Sequence, residues 1–121
     1  MPVDFELAEA GYSCETSKID TGVVSELTMW YANDYPLYRT YYAWVKNYAR
    51  KMKRGVYTKK LAIKGIANNY VPQIARDYKK HNGLSAVNKC TKLKTGLEIV
   101  NDIETAIKDN GIEYWIKHDG R

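Results

Sequence analysis

The sequence predicts an all-α protein: a small helical bundle built on a central antiparallel helical hairpin, preceded by an irregular acidic arm. Three observations carry this. Apolar residues recur at helical spacing through most of the chain from residue 21 to residue 107. Capping residues and glycines stand where those runs begin and end. The length, 121 residues at 45% hydrophobic, is enough for one core. We read a single domain over 1–121, with 1–20 as the arm, 21–111 as the helical core and 112–121 as a tail.

The arm has no sustained period, and Gly11 and Gly22 bracket a stretch rich in Ser and Thr. From Thr21 the pattern turns helical, with Val23, Val24, Leu27 and Tyr31 on one side until Asn33-Asp34 interrupts it. Pro36 suits the first turn of the next helix, which we place over 37–54. There Leu37, Tyr41, Trp44, Tyr48 and Met52 form the buried face, and Arg39, Lys46, Arg50 and Lys53 lie opposite. Cations in the last turn and Gly55 beyond them end it.

Thr58 caps the third helix, whose stripe is Ala62, Ile63, Ile66, Ala67, Tyr70, Ile74 and Tyr78. Pro72 falls inside that stripe without breaking its phase, which predicts a kink. The short connection makes this helix the antiparallel neighbour of the second. Asn82-Gly83 stops it, and Ser85 is expected to start the last long helix. Val87, Cys90, Leu93, Leu97, Val100, Ile103 and Ile107 form its seam. Gly96 costs this helix about 1 kcal/mol relative to alanine, which leaves one helix or two segments open. Asn110-Gly111 ends it, and the tail Ile112–Ile116 is too short to classify.

Charge is segregated along the chain. The net charge is +5, yet residues 1–34 hold seven acids and one base. Residues 35–95 hold fifteen bases and one acid, Asp77, and residues 96–121 hold six acids and three bases. Such a pattern predicts either an anionic partner for the middle or acidic ends that fold back on it.

Residues 27–80 resemble small helical proteins, mostly uncharacterised, that bacteriophages and other mobile elements encode. The resemblance rests on Asn33-Asp34-Tyr35 running into Leu37-Tyr38, on Lys46-Asn47, and on the basic stretch ending Arg54-Gly55-Val56-Tyr57. Leu61-Ala62 and Ala75-Arg76-Asp77-Tyr78 extend it. It implies a phage origin and a helical hairpin, and it brings no activity and no site residues.

Signatures of enzymes are missing. The chain has no glycine-rich phosphate loop, no Gly-x-Ser-x-Gly elbow and no His-Glu-x-x-His. His81 and His118 read as surface histidines, and Glu98 and Asp102 as a solvated acidic face rather than a catalytic pair. Trp30, Trp44, Tyr41 and Tyr48 read as core. Cys14 and Cys90 make no disulfide framework or zinc cluster, and Cys90 reads as a core thiol, reduced if the setting is cytosolic. No run reaches the ~18 apolar residues of a membrane span, and the acidic start (MPVDFELAEAG) does not read as a secretory signal.

The expected function is therefore non-enzymatic binding, with no cofactor or metal, by a phage-type protein in the host cytoplasm. Arg39, Lys46, Arg50, Lys53, Arg54, Lys59, Lys60 and Lys64 are the candidate anion-binding residues, at the tip of the hairpin and along the basic stripe of its first helix. Lys59 and Lys60 stand in a first helical turn, where the free amides already favour an anion. Tyr35 and Tyr42 are candidate stacking or interface aromatics. The partner is nucleic acid or a nucleoprotein. The alternative is a host-directed effector whose basic tip meets an acidic surface of one host protein.

Overall fold

Each long helix but one starts where a side-chain oxygen can take a free amide of its first turn. In the computed structural model, which describes residues 2–84 and 86–117, Asp4 serves the Leu7 amide at α1 (Phe5–Glu9) and Asp20 serves Val23 at α2 (Thr21–Asn33). Asp34 serves Leu37 at α3 (Tyr35–Lys53), and Thr58 serves Leu61 at α4 (Lys59–Gly65). A single π turn, Ile66–Tyr70, leads directly into α5 (Val71–Asn82). Asn88 serves Thr91 at α6 (Lys89–Asn110), and α7 (Ile112–Lys117) follows. Gly55 and Gly83 take the left-handed conformation, φ +73° and +71°, just beyond α3 and α5. Among the described residues the one β pairing is an isolated antiparallel bridge between Val3 and Glu15. The fold is an all-α small bundle.

The expected faces are buried. Leu37, Tyr41 and Tyr48 of α3 are in the core, as are Ala62, Ile63, Ile66, Ala67, Tyr70 and Ile74 of the next rod. Trp30, Trp44, Met52 and Tyr78 differ from expectation, since all four are only half-buried at the edge of the core. Contacts between the two rods run antiparallel. The Tyr48 hydroxyl donates to the Ala62 carbonyl at 2.9 Å, and further along the Tyr70 hydroxyl donates to the Leu37 carbonyl at 2.5 Å. Long aromatic side chains bridge this pair. The hub of the bundle is instead α6, which packs on α2, α3, α4, the π turn, α5 and α7.

Close approach at α6 explains its glycine. A Cβ on Gly96 would lie 3.1 Å from the Ile63 carbonyl oxygen and 3.2 Å from the Ala67 Cβ. The glycine that weakens the helix locally lets α6 run as one unbroken helix against α4 and the π turn. That helix starts later than the sequence predicts. Its cap is Asn88, Val87 lies in the preceding loop, and Ser85 lies outside the described residues. Pro72 also acts differently from the expected kink. It stands in the first turn of α5, after a π turn in which the Val71 amide reaches back to the Ile66 carbonyl.

The arm is ordered rather than irregular. It carries α1 and a 3-10 turn, Thr16–Lys18, and it closes on α6. Leu7 is fully buried, and Asp4 pairs with Lys94 at 2.9 Å. The Asp20 amide donates to the buried Thr91 hydroxyl at 3.0 Å. Cys14 and Cys90 form a disulfide with their Cα atoms 5.8 Å apart. This corrects the reading of Cys90 as a reduced thiol: the partners are 76 residues apart in sequence, and only the arm's return to α6 brings them together. The tail is likewise a helix. Trp115 of α7 is buried, and its indole N–H donates to the Ala106 carbonyl at 2.8 Å.

Candidate functional site

Acidic ends fold back on the basic middle, but they reach only part of it. Lys94 is held by Asp4 and, at 3.5 Å, by Glu6. Lys59 donates to Asn101 Oδ1 at 2.7 Å and pairs with Glu104 at 3.2 Å; Lys53 pairs with Glu113 of α7 at 2.7 Å. Asp77, the lone acid of the middle, accepts the Trp30 indole N–H at 2.7 Å. Three lysines are thus served by carboxylates. The others form the surface on which an external anion can bind.

Six of the others gather across α4, α5 and the start of α6. One groove, about 600 Å³, is lined by Lys60, Lys64, Lys89 and Lys92 over an apolar floor of Leu61, Ala67 and Leu93. Tyr12 of the arm closes one wall, its hydroxyl donating to the Lys60 carbonyl at 2.6 Å. A second groove, about 240 Å³, is lined by Arg76, Lys79 and Lys92 with Pro72, Leu84 and Val87. Lys92 belongs to both grooves, which makes them one basic band, and no carboxylate among the described residues lines either. Lys89 and Lys92 occupy the first turn of α6, where the helix dipole disfavours cations. Local stability does not explain their charge.

The residues singled out from the sequence are not all brought together. Lys60 and Lys64 line the larger groove. Arg50 and Arg54 are exposed at the hairpin tip, with no carboxylate partner among the described residues. Lys53 and Lys59 are spent on internal ion pairs. Tyr35 and Arg39 line a shallow depression at the other end of α3, roughly 27 Å of helix from the tip at ~1.5 Å per residue. Lys46 is half-buried on the face α7 approaches, and Tyr42 is stacked on Trp115 with ring centroids 5.5 Å apart. A hydrogen bond to Tyr38, with burial, pushes the Tyr42 phenol up to about 12. Tyr42 is a structural ring, which leaves Tyr35, 72% exposed, as the accessible one of the two. Sequence reasoning missed Tyr12, Arg76, Lys79, Lys89 and Lys92 as members of a site. The available signal was a first helical turn carrying cations and no acid.

The remaining titratable groups serve the fold. Tyr31 donates to Asp102 at 2.6 Å and Tyr57 to Glu104 at 2.7 Å. Burial and the adjoining carboxylate push both phenols far up, so they stay neutral donors. Glu98 lies 3.8 Å from Lys94, so each member of the expected acidic face has a structural partner. His81 is exposed beside Trp30, and His118 lies outside the described residues. Among the described residues no group of three or more His, Cys, Asp or Glu side chains is placed to hold a metal ion, and no helix is long and apolar enough to cross a membrane.

Fold and surface together define a helical bundle with a one-sided basic band. No family model, curated protein or solved structure matches the chain.

Proposed function

We propose that this is a non-enzymatic binding protein whose partner is nucleic acid or a nucleoprotein, in keeping with a phage or mobile-element origin. One observation carries the reading. Two adjoining grooves are lined by six cations and, among the described residues, no carboxylate, while the chain's own acids neutralise Lys53, Lys59 and Lys94 elsewhere. A band of fixed cations releases counterions from a polyphosphate and holds it with little sequence readout. The binding surface in this reading shifts from the hairpin tip toward the α4–α6 band. A host-protein partner is the second reading. Val56 and Leu61, 57% and 61% exposed beside the tip, favour it, since exposed apolar side chains anchor protein interfaces. The host cytoplasm is the expected setting, and the Cys14–Cys90 bond weighs against it, because disulfides persist where thiols are not kept reduced.

Salt dependence tests the reading. Binding of duplex DNA should weaken steeply between ~50 and ~200 mM salt. Replacing Lys64, Arg76 and Lys92 together by Gln should flatten the log–log slope by about 2.7, at about 0.9 per phosphate contact. Lys53→Gln/Lys59→Gln should leave the slope within about 0.5, because both lysines are already paired. No binding of either duplex or single-stranded DNA at the lower salt rejects nucleic acid and favours the host-protein partner.

A further inference from the structure

We propose that the larger groove, between α4 and the first turn of α6, takes the bases of a single strand, so that the protein prefers single-stranded nucleic acid to duplex. This rests on the nucleic-acid reading and narrows it. Phosphates alone need only exposed cations. This groove adds an apolar floor, in which Leu61 is 61% exposed while Ala67 and Leu93 are buried beneath it. A leucine left in water within a basic rim is matched by a ligand that is apolar on one part and anionic on the next. Unpaired nucleotides have that character: an unstacked base offers a flat apolar face, and its phosphate lies one backbone step away. In a duplex the same faces are stacked and cannot enter.

Size and rigidity point the same way. At about 600 Å³ the groove falls within the ~300–1,000 Å³ that encloses nucleotide-sized ligands. The disulfide ties the arm to α6 beside two lining residues: Tyr12 stands two residues before Cys14, and Lys89 stands next to Cys90. The Tyr12 hydroxyl bond to the Lys60 carbonyl fixes the arm to the third side. A groove held open in this way loses little freedom when it binds.

The test compares one labelled oligonucleotide of mixed sequence, single-stranded and annealed to its complement, by fluorescence anisotropy at ~50 mM salt. The protein is the full oxidised chain. The single strand should bind at least about fivefold more tightly than the duplex. Leu61→Ala, at an exposed position, should remove most of that difference by weakening the single strand about fivefold and leaving the duplex unchanged. Leu61→Phe should restore or raise single-strand affinity, and Lys64→Gln should weaken both ligands alike. Equal wild-type affinities, or equal losses on both ligands with Leu61→Ala, overturn the groove assignment and leave the nucleic-acid reading standing. Binding of neither ligand overturns that reading, and the groove assignment with it.

Discussion

Asp4 does three things with one carboxylate. It caps α1 through the Leu7 amide at 2.9 Å, pairs with Lys94 at 2.9 Å, and so pins the arm to α6. Burial on its own raises the Asp4 carboxyl, but the Leu7 amide and the Lys94 ammonium outweigh it and hold the group below its ordinary 3.8. A depressed carboxyl stabilises the fold above its unfolded value and loses that contribution as pH falls through the native one. Stability should therefore be flat near neutrality and fall once pH drops below about 3.8, and Asp4→Asn should remove this acid-sensitive component. With both side chains only 14–16% exposed, Asp4→Asn should cost about 1–3 kcal/mol at pH 7, between the surface and buried limits for ion pairs. Urea denaturation of both proteins at pH 7 and below pH 3.8 checks the sign and the size.

At the scale of elements, Gly96 sets local propensity against packing. Alanine is the better helix former by about 1 kcal/mol, so Gly96→Ala should stabilise an isolated α6 peptide. In the folded chain the added methyl meets the backbone of Ile63 and Ala67 at 3.1 and 3.3 Å, atoms with no rotamer to move. We expect net destabilisation of about 1–2 kcal/mol, read from the chemical denaturation midpoint. An unchanged or raised midpoint would show that α4 and the π turn can retreat. Helical spacing and caps made the elements from α2 to α6 legible, down to Thr58 as a cap. The exceptions have physical causes. α7 spans only six residues, too few for a period, and is held by Trp115 against α3 and α6. The start of α6 was misplaced because Ser85 and Asn88 are equally good caps by residue type, and Asn88 is the one the structure uses.

For the molecule as a whole, the disulfide is a covalent tie between the arm and α6. It closes the chain between Cys14 and Cys90, a separation of 76 residues, so its loss should cost about 2–4 kcal/mol through the freedom returned to the unfolded chain. Cys14→Ser/Cys90→Ser, compared with wild type by urea denaturation without reductant, measures this. Leu7, Asp4–Lys94 and the Asp20–Thr91 hydrogen bond should keep the double variant folded. A midpoint equal to wild type would mean that these contacts hold the arm without the bond.

By itself the sequence determined the helical class, the buried faces of α3 to α6, and the concentration of cations in the middle of the chain. Those properties are written in spacing and composition, because a helix repeats every few residues and charge adds along the chain. Tertiary structure alone decided which cations are available. Lys53, Lys59 and Lys94 look like their neighbours in sequence, yet each meets a carboxylate from a distant segment. Lys60 and Lys64 face Lys89 and Lys92 because Gly96 lets α6 settle closely on α4 and the π turn. Pairing depends on which helices cross and how closely, and that is fixed by packing between elements rather than by any local pattern.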